Sequence, residues 1–507
     1  MLNRNTKLLV LVTGVILFDY FFWLNNLGLN ILLMNVFVNL VILVQYPLVI
    51  RSKETLFTML GSFATAVAIV IHSSSFTIIM HFISLVVMLG FVHQQSLKSI
   101  VYAIPTSLGN YLMLPDRVVL YFKSAKDSST KMRSFLRFTQ LLVIPVILLI
   151  VFYLLFTTGN LIFADLTNKL FATIGNWIYQ LFEHFSFYRI LFVLLGAVLI
   201  GGLIYNNNLT MFRETEATLA EYIFRKKGPL KRPLAAKKLS MGLKNEIRSA
   251  IILMILINIM LLVVNGIDIA NIWIGFTYTT KFDLKHFVHE GTYMLIASIL
   301  LSMAVMLVYF RKNVNFYPNN TLLKYLAYAW IVQNVILLIS VVIRNYHYMH
   351  YFGLAYKRIG VIIFLILVLF GLYTLFIKIR KKKSDYYLFR TNSWSMYLVL
   401  ICFSLFSWDM IIAKHNLAHP LKNNMETCFL LVLSDKVLPE IDKHKYVLDQ
   451  KPSPDGYMNF APLTFSQVYE QRVIAFLKRK EKESWQSWNW AEDEAYKYFK
   501  GKEKASN

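Results

Sequence analysis

The stretch KHFVHEGTYMLIASILLSMAVMLVYFRK, residues 285–312, decides what kind of protein this is. From Gly291 to Phe310 it runs without a charged side chain. About 20 apolar residues are what a helix needs to cross the hydrocarbon core of a bilayer. Arg311 and Lys312 close the run, while His286, His289 and Glu290 open it. These three polar residues therefore stand where the head groups of one leaflet begin.

The remainder of the chain repeats the pattern. Of 507 residues 57% are hydrophobic, 15% aromatic and only 16% charged, whereas soluble domains carry roughly 25% charged residues. Apolar runs recur at 8–24, 31–50, 56–71, 76–92, 141–156, 188–205, 249–266, 291–310, 322–343, 359–379 and 395–412. The expected fold is an all-α, polytopic transmembrane helix bundle of about eleven spans. Arg4 and Lys7 before the first run resemble a signal-peptide start, but no small-residue cleavage site follows and Asp19 interrupts the run. It reads as a retained first helix. Residues 161–185 are amphipathic and read as lying along the interface. Cys402 falls inside an apolar run and Cys428 outside one, which gives no disulfide framework.

Charge sets the orientation. With the N-terminus in the cytoplasm, the inner segments hold 28 Lys and Arg and the outer loops hold 7, as the positive-inside rule requires. The net charge of +24 thus lies in discrete inner loops, 93–140 and 206–248 above all. These suit anionic lipid or a protein partner rather than nucleic acid. An odd number of spans places the tail, 413–507, outside. The expected organisation is a four-span region 1–140, a two-span region 141–248, a five-span core 249–412, and a soluble or interfacial helical tail 413–507.

Charged groups within apolar spans are expensive and are therefore candidates for function. Asp19, His81 and Asp409 lie in the outer third of their spans. The outer loops add His286, His289, Glu290, Arg344, Lys357 and Arg358. His286, His289 and Glu290 share one helix face by their i, i+3, i+4 spacing, and His347 and His350 are likewise spaced i, i+3. Imidazoles with a carboxylate would suit zinc, iron, nickel or copper. The competing readings are a proton-sensitive group and ordinary polar helix ends. Asp19 and Asp409 can alternatively pair with Arg344, Lys357 or Arg358 and fix helix positions. No nucleotide, P-loop, nucleophile-elbow, CxxC or HExxH motif occurs in a usable context, which leaves any cofactor unknown.

The strings FVHEGTY (287–293), RNYHYMHYFGLAYKRIG (344–360) and CFLLVLSDKVLP (428–439), with LFDYFFW (17–23) upstream, resemble a group of bacterial polytopic membrane proteins. These are the domain-of-unknown-function family 4173 and its relative 4153. The resemblance covers about 200 to 439, with Phe352 and Ala355 where Tyr and Thr are expected. It implies a multi-pass protein of the bacterial cytoplasmic membrane and supplies no activity. Three functions remain open. One is a non-enzymatic module whose outward polar pocket binds a lipid head group, a small solute or a proton, for sensing or transport. Another is an enzyme on a lipid-linked substrate, with Asp19 or Glu290 as base and Lys357 and Arg358 as phosphate clamp. The third is an assembly subunit docking a partner through its basic loops or tail.

Overall fold

The computed structural model describes residues 3–115, 160–181, 187–207, 209–225, 243–274, 284–310, 312–318, 320–418, 427–449 and 465–506, with scattered residues of 142–157. Every regular element among them is helical, and one isolated bridge joins Tyr222 and Lys383. The chain divides into two compact units. Unit 1 is Met1–Lys98, Tyr102–Glu216 and Glu483–Asn489; unit 2 is Ser99–Val101, Ala217–Lys482 and Trp490–Asn507.

Unit 1 contains α1 (Arg4–Phe22), α2 (Leu29–Gln45), α3 (Lys53–His72), α4 (Ser75–His93), α5 (Ile100–Leu112), α6 (Leu161–Leu181), α7 (Phe187–Ile204) and the short α8 (Thr210–Ala217). Side-chain caps fix where the spans begin. The oxygens of Asn3, Ser52 and Ser74 accept the backbone N–H of Thr6, Thr55 and Thr77, satisfying donors that a helix start leaves open. The run at 31–50 is shorter as a helix than as a sequence. Pro47 has no N–H to continue the ladder, so α2 stops at Gln45 and 47–51 form a 3₁₀ turn. A core of Met34, Ile42, Met88, Val92, Ile200 and Ile204 joins α2, α4 and α7. Within the basic loop 93–140, residues Ile100–Leu112 form α5, which holds the end of α7. Asn110 donates to the carbonyls of Gly202 and Tyr205 and accepts from the N–H of Asn207. In α6 the apolar Ile162, Leu166 and Leu170 follow one another at i+4 and all are exposed, an uncovered stripe along one face.

Unit 2 contains α9 (Leu243–Asp268), α10 (Leu284–Tyr309), α11 (Thr321–Phe352), α12 (Tyr356–Lys381), α13 (Asp385–Ser404), α14 (Trp408–Leu417) and four tail helices. The tail helices are α15 (Thr427–Leu430), α16 (Leu438–Asp449), α17 (Phe465–Lys482) and α18 (Trp490–Ser506). The seventh run proves longer than its apolar stretch. It starts at Leu243, continues to Asp268 and carries on as a π turn to Ile274. The last run is two helices, bent by 59° between α13 and α14. One core gathers α9, α10, α11 and α12 around Trp330 and Phe310. A second joins α14 and Ile359 to the tail through Leu433, Val437, Ile441, Tyr469 and Phe499. The described residues of the tail thus form a packed helical body.

Among the described residues, seven helices are long and apolar enough to cross a membrane, or eight if α13 and α14 form one broken span. The shorter α2 and the 296–309 part of α10 fall below that length. Most of 141–156 lies outside the described residues. The protein is a membrane protein by these helices.

Candidate functional site

Unit 1 contains a partly open cavity of about 460 Å³ between α1, α2, α4, α5 and α7, within the ~300–1,000 Å³ range of ligand pockets. Phe18, Phe22, Met34, Leu85 and Phe192 are typical of its walls, and Asn35 and His81 bring the side-chain amide and imidazole. Both are buried. His81 Nδ1 lies 3.1 Å from Thr65 Oγ1 and 3.2 Å from the Ser62 carbonyl, while Asn35 donates to Ser62 Oγ at 3.3 Å. Small hydroxyl residues on α3 therefore hold both side chains in place, as interhelical hydrogen bonds do inside membranes.

Asp19 does not face this cavity as a lone acid. It accepts Arg189 Nη2 at 2.7 Å and Arg189 Nε at 3.3 Å. The expected partners Arg344, Lys357 and Arg358 are replaced by a cation that the sequence places at the edge of an outer loop. Phe18, the residue before Asp19, stacks on Phe192 at 4.7 Å, so the pair sits directly beyond the cavity wall.

In unit 2 the candidate charges resolve into separate local contacts. Arg344 pairs with Asp268 at 2.6 Å, both buried. The pair ends a polar seam between α9 and α11. Gln333 donates to Asn258 at 2.8 Å, Asn265 donates to the Gln333 carbonyl, and Trp273 donates to Ser340. Asp409 receives Lys436 at 2.8 Å and the Ser434 hydroxyl at 2.5 Å, which ties α14 to the tail. Arg358 donates to the carbonyls of Phe352 and Gly353 and lies 4.2 Å above the Tyr348 ring. It caps the end of α11, whose last carbonyls have no helical partner. Lys357 is exposed. The turn between α11 and α12 is further clamped by Asn416, whose amide accepts the Leu354 N–H at 2.6 Å and donates to its carbonyl at 2.9 Å.

The opening motif keeps its helical spacing, since α10 begins at Leu284 and runs through His286, His289 and Glu290. Their side chains lie outside the described residues. His347 and His350 sit in the last turns of α11, with His350 stacked on Tyr346. Among the described residues no group of three or more His, Cys, Asp or Glu side chains is placed to hold a metal. Sequence reasoning missed four partners: Asp268, Arg189, Lys436 and Asn416. For Asp268 a signal was present, because Asn258, Asn265 and Asp268 recur at i, i+7, i+10 on one helix face.

One family model matches the chain, over residues 37–444, and its description is a domain of unknown function, DUF4153. That is the relative of the family first suggested by the motif strings, not family 4173, and the match starts far upstream of residue 200. No curated protein and no solved structure matches.

Proposed function

The chain belongs to the DUF4153 family, and from its own geometry we propose a non-enzymatic membrane module that holds a lipid chain in the cavity of unit 1. The observation that carries this is the cavity itself, about 460 Å³ and walled almost wholly by aliphatic and aromatic side chains. Such a lining repels small polar solutes and matches an acyl chain. Counting α13–α14 as one span, with α2, α10 and the stretch 141–156, restores the eleven spans of the sequence reading, N-terminus inside, in a bacterial cytoplasmic membrane. Two contacts support an outside tail. Residues 483–489 bind the 25–29 turn, and the tail core packs on Ile359; both turns are expected outside.

The enzyme reading loses support. Asp19 is paired with Arg189 and Arg358 donates to two backbone carbonyls, so neither Asp19 as proposed base nor Arg358 of the proposed clamp stands as a lone charge aimed at a substrate. The lipid reading is tested by native mass spectrometry of the detergent-purified protein beside Leu199→Trp, whose indole would enter the cavity from its wall. Lipid retained by the parent and lost in the variant is the expected result. Equal retention by both, or none by either, refutes the reading.

A further inference from the structure

An acyl chain gains little by leaving the bilayer for an apolar groove, because lipid tails are as apolar as the leucines that line it. Specific retention must then come from a polar group near the cavity. Arg189 is the cation placed for that work. It precedes Phe192 by three residues, so the two share one face of α7, and Phe192 lines the cavity. Its guanidinium is 5.9 Å from the Trp23 ring, and Trp is a residue of the head-group zone. The ion pair is also asymmetric. The Arg189 side chain is 55% exposed and that of Asp19 only 18%, so the pair presents its cation and covers its anion.

We propose that Arg189 binds the phosphate of a phospholipid whose acyl chain occupies the cavity, and that Asp19 is a positioning residue that orients the guanidinium and tempers its pull on anions. The inference rests on the lipid-chain reading above. The planar guanidinium fork matches phosphate oxygens in pairs, which an ammonium group cannot do. Asp19 already occupies one edge of the fork through Nε and Nη2. The phosphate therefore approaches beside the carboxylate and is partly repelled by it. Removing the carboxylate should strengthen phosphate binding, and removing the guanidinium should abolish the preference for it.

The test uses the full chain in detergent. Phosphatidylglycerol, phosphatidylethanolamine and uncharged diacylglycerol are supplied in equal amounts, and bound lipid is read by native mass spectrometry. Arg189→Gln is expected to lower retention of both phospholipids by about tenfold or more, since hydrogen bonds to charged groups are the stronger kind, and to leave diacylglycerol unchanged. Asp19→Asn should raise phosphatidylglycerol above the parent level, and Arg189→Lys should restore retention only in part. Inorganic phosphate in excess should displace neither phospholipid; displacement would assign the site to free phosphate and overturn the proposal. The Asp19→Asn/Arg189→Gln protein removes both charges of this pair together and separates lost binding from lost folding. It should retain diacylglycerol and still lose the phospholipid preference. If Arg189→Gln retains phospholipid like the parent while Leu199→Trp loses it, the head-group inference fails and the chain reading survives. If the parent retains none of the three lipids, both fail.

Discussion

Gly28 is where the fold of unit 1 can be tested with a single methyl group. A Cβ at this position would stand 2.4 Å from the Ser487 carbonyl oxygen and 2.5 Å from that of Trp488. Both atoms are backbone, so no rotamer change relieves the clash. The 483–489 segment must retreat by about 1 Å to reach ordinary contact distance. The Leu29 N–H to Trp488 carbonyl bond at 2.9 Å, Asn26 to Glu483 at 3.0 Å and Ser484 to Asn25 at 2.5 Å all cross the same gap. At a net value of about 1 kcal/mol each, their loss weakens docking by roughly 3 kcal/mol, or about 100-fold. The segment offers Trp485 and Trp488 to chymotrypsin. Where opening is fast relative to cleavage, the cleavage rate follows the open population. Gly28→Ala should therefore be cut there up to about 100-fold faster than the parent. Gly360→Ala is the control, since nothing lies within 4 Å of its added Cβ, and it should match the parent. Equal cleavage of Gly28→Ala and the parent would refute the docking.

Further outcomes follow from the same contacts. Arg344→Ala leaves the buried Asp268 carboxylate without its guanidinium and should cost about 3–5 kcal/mol, whereas Arg344→Met/Asp268→Leu should cost less; thermal unfolding in detergent decides. Gly353→Ala meets both a φ of +76° and the Asn416 Oδ1 at 2.6 Å, so a loss of at least ~1–2 kcal/mol is expected from the backbone alone, and Asn416→Ala should not remove that part. Lys383 donates to Glu221 at 2.5 Å, and that hydrogen bond, opposed by burial and aided by the Lys383 and Arg390 charges, lowers the Glu221 carboxyl from its usual 4.5. A depressed carboxylate stabilises the fold above its unfolded value and stops doing so as pH falls through the folded one. Stability of the parent should thus decline on acidification below about 4.5 more steeply than that of Glu221→Gln, and parallel curves would contradict the pairing.

How much of this was legible in the sequence depends on the range of the interaction. Span starts are local, and Ser52 and Ser74 announce α3 and α4 from within three residues. Span ends are less so. The apolar stretch ending at Gly266 hides two more residues of α9, and the second of them is Asp268, which reaches Arg344. Partners lie beyond the reach of periodicity: Asp19 finds Arg189 across 170 residues and Arg344 finds Asp268 across 76. Asp19 was visible as an anomaly in an apolar run without its cation, and Arg344 as a cation at a span end without its acid. The helix α5 was masked for a different reason, since Pro105 and Gly109 read as loop residues until the packing of Asn110 on α7 overrides them.

Within α11, Lys324 and Arg344 are the only Lys, Arg, Asp or Glu side chains, and at 1.5 Å per residue they stand about 30 Å apart. That is the thickness of a typical hydrocarbon core. The helix is therefore a caliper, with one jaw at Lys324 and the other at the Arg344–Asp268 pair. In a bilayer that matches, both jaws rest among head groups. A thicker bilayer draws the second jaw into hydrocarbon, and a thinner one leaves apolar turns in water, each at a cost of fractions of a kcal/mol per Å. Bilayer thickness thus becomes a mechanical load delivered to one ion pair at the junction of α9 and α11.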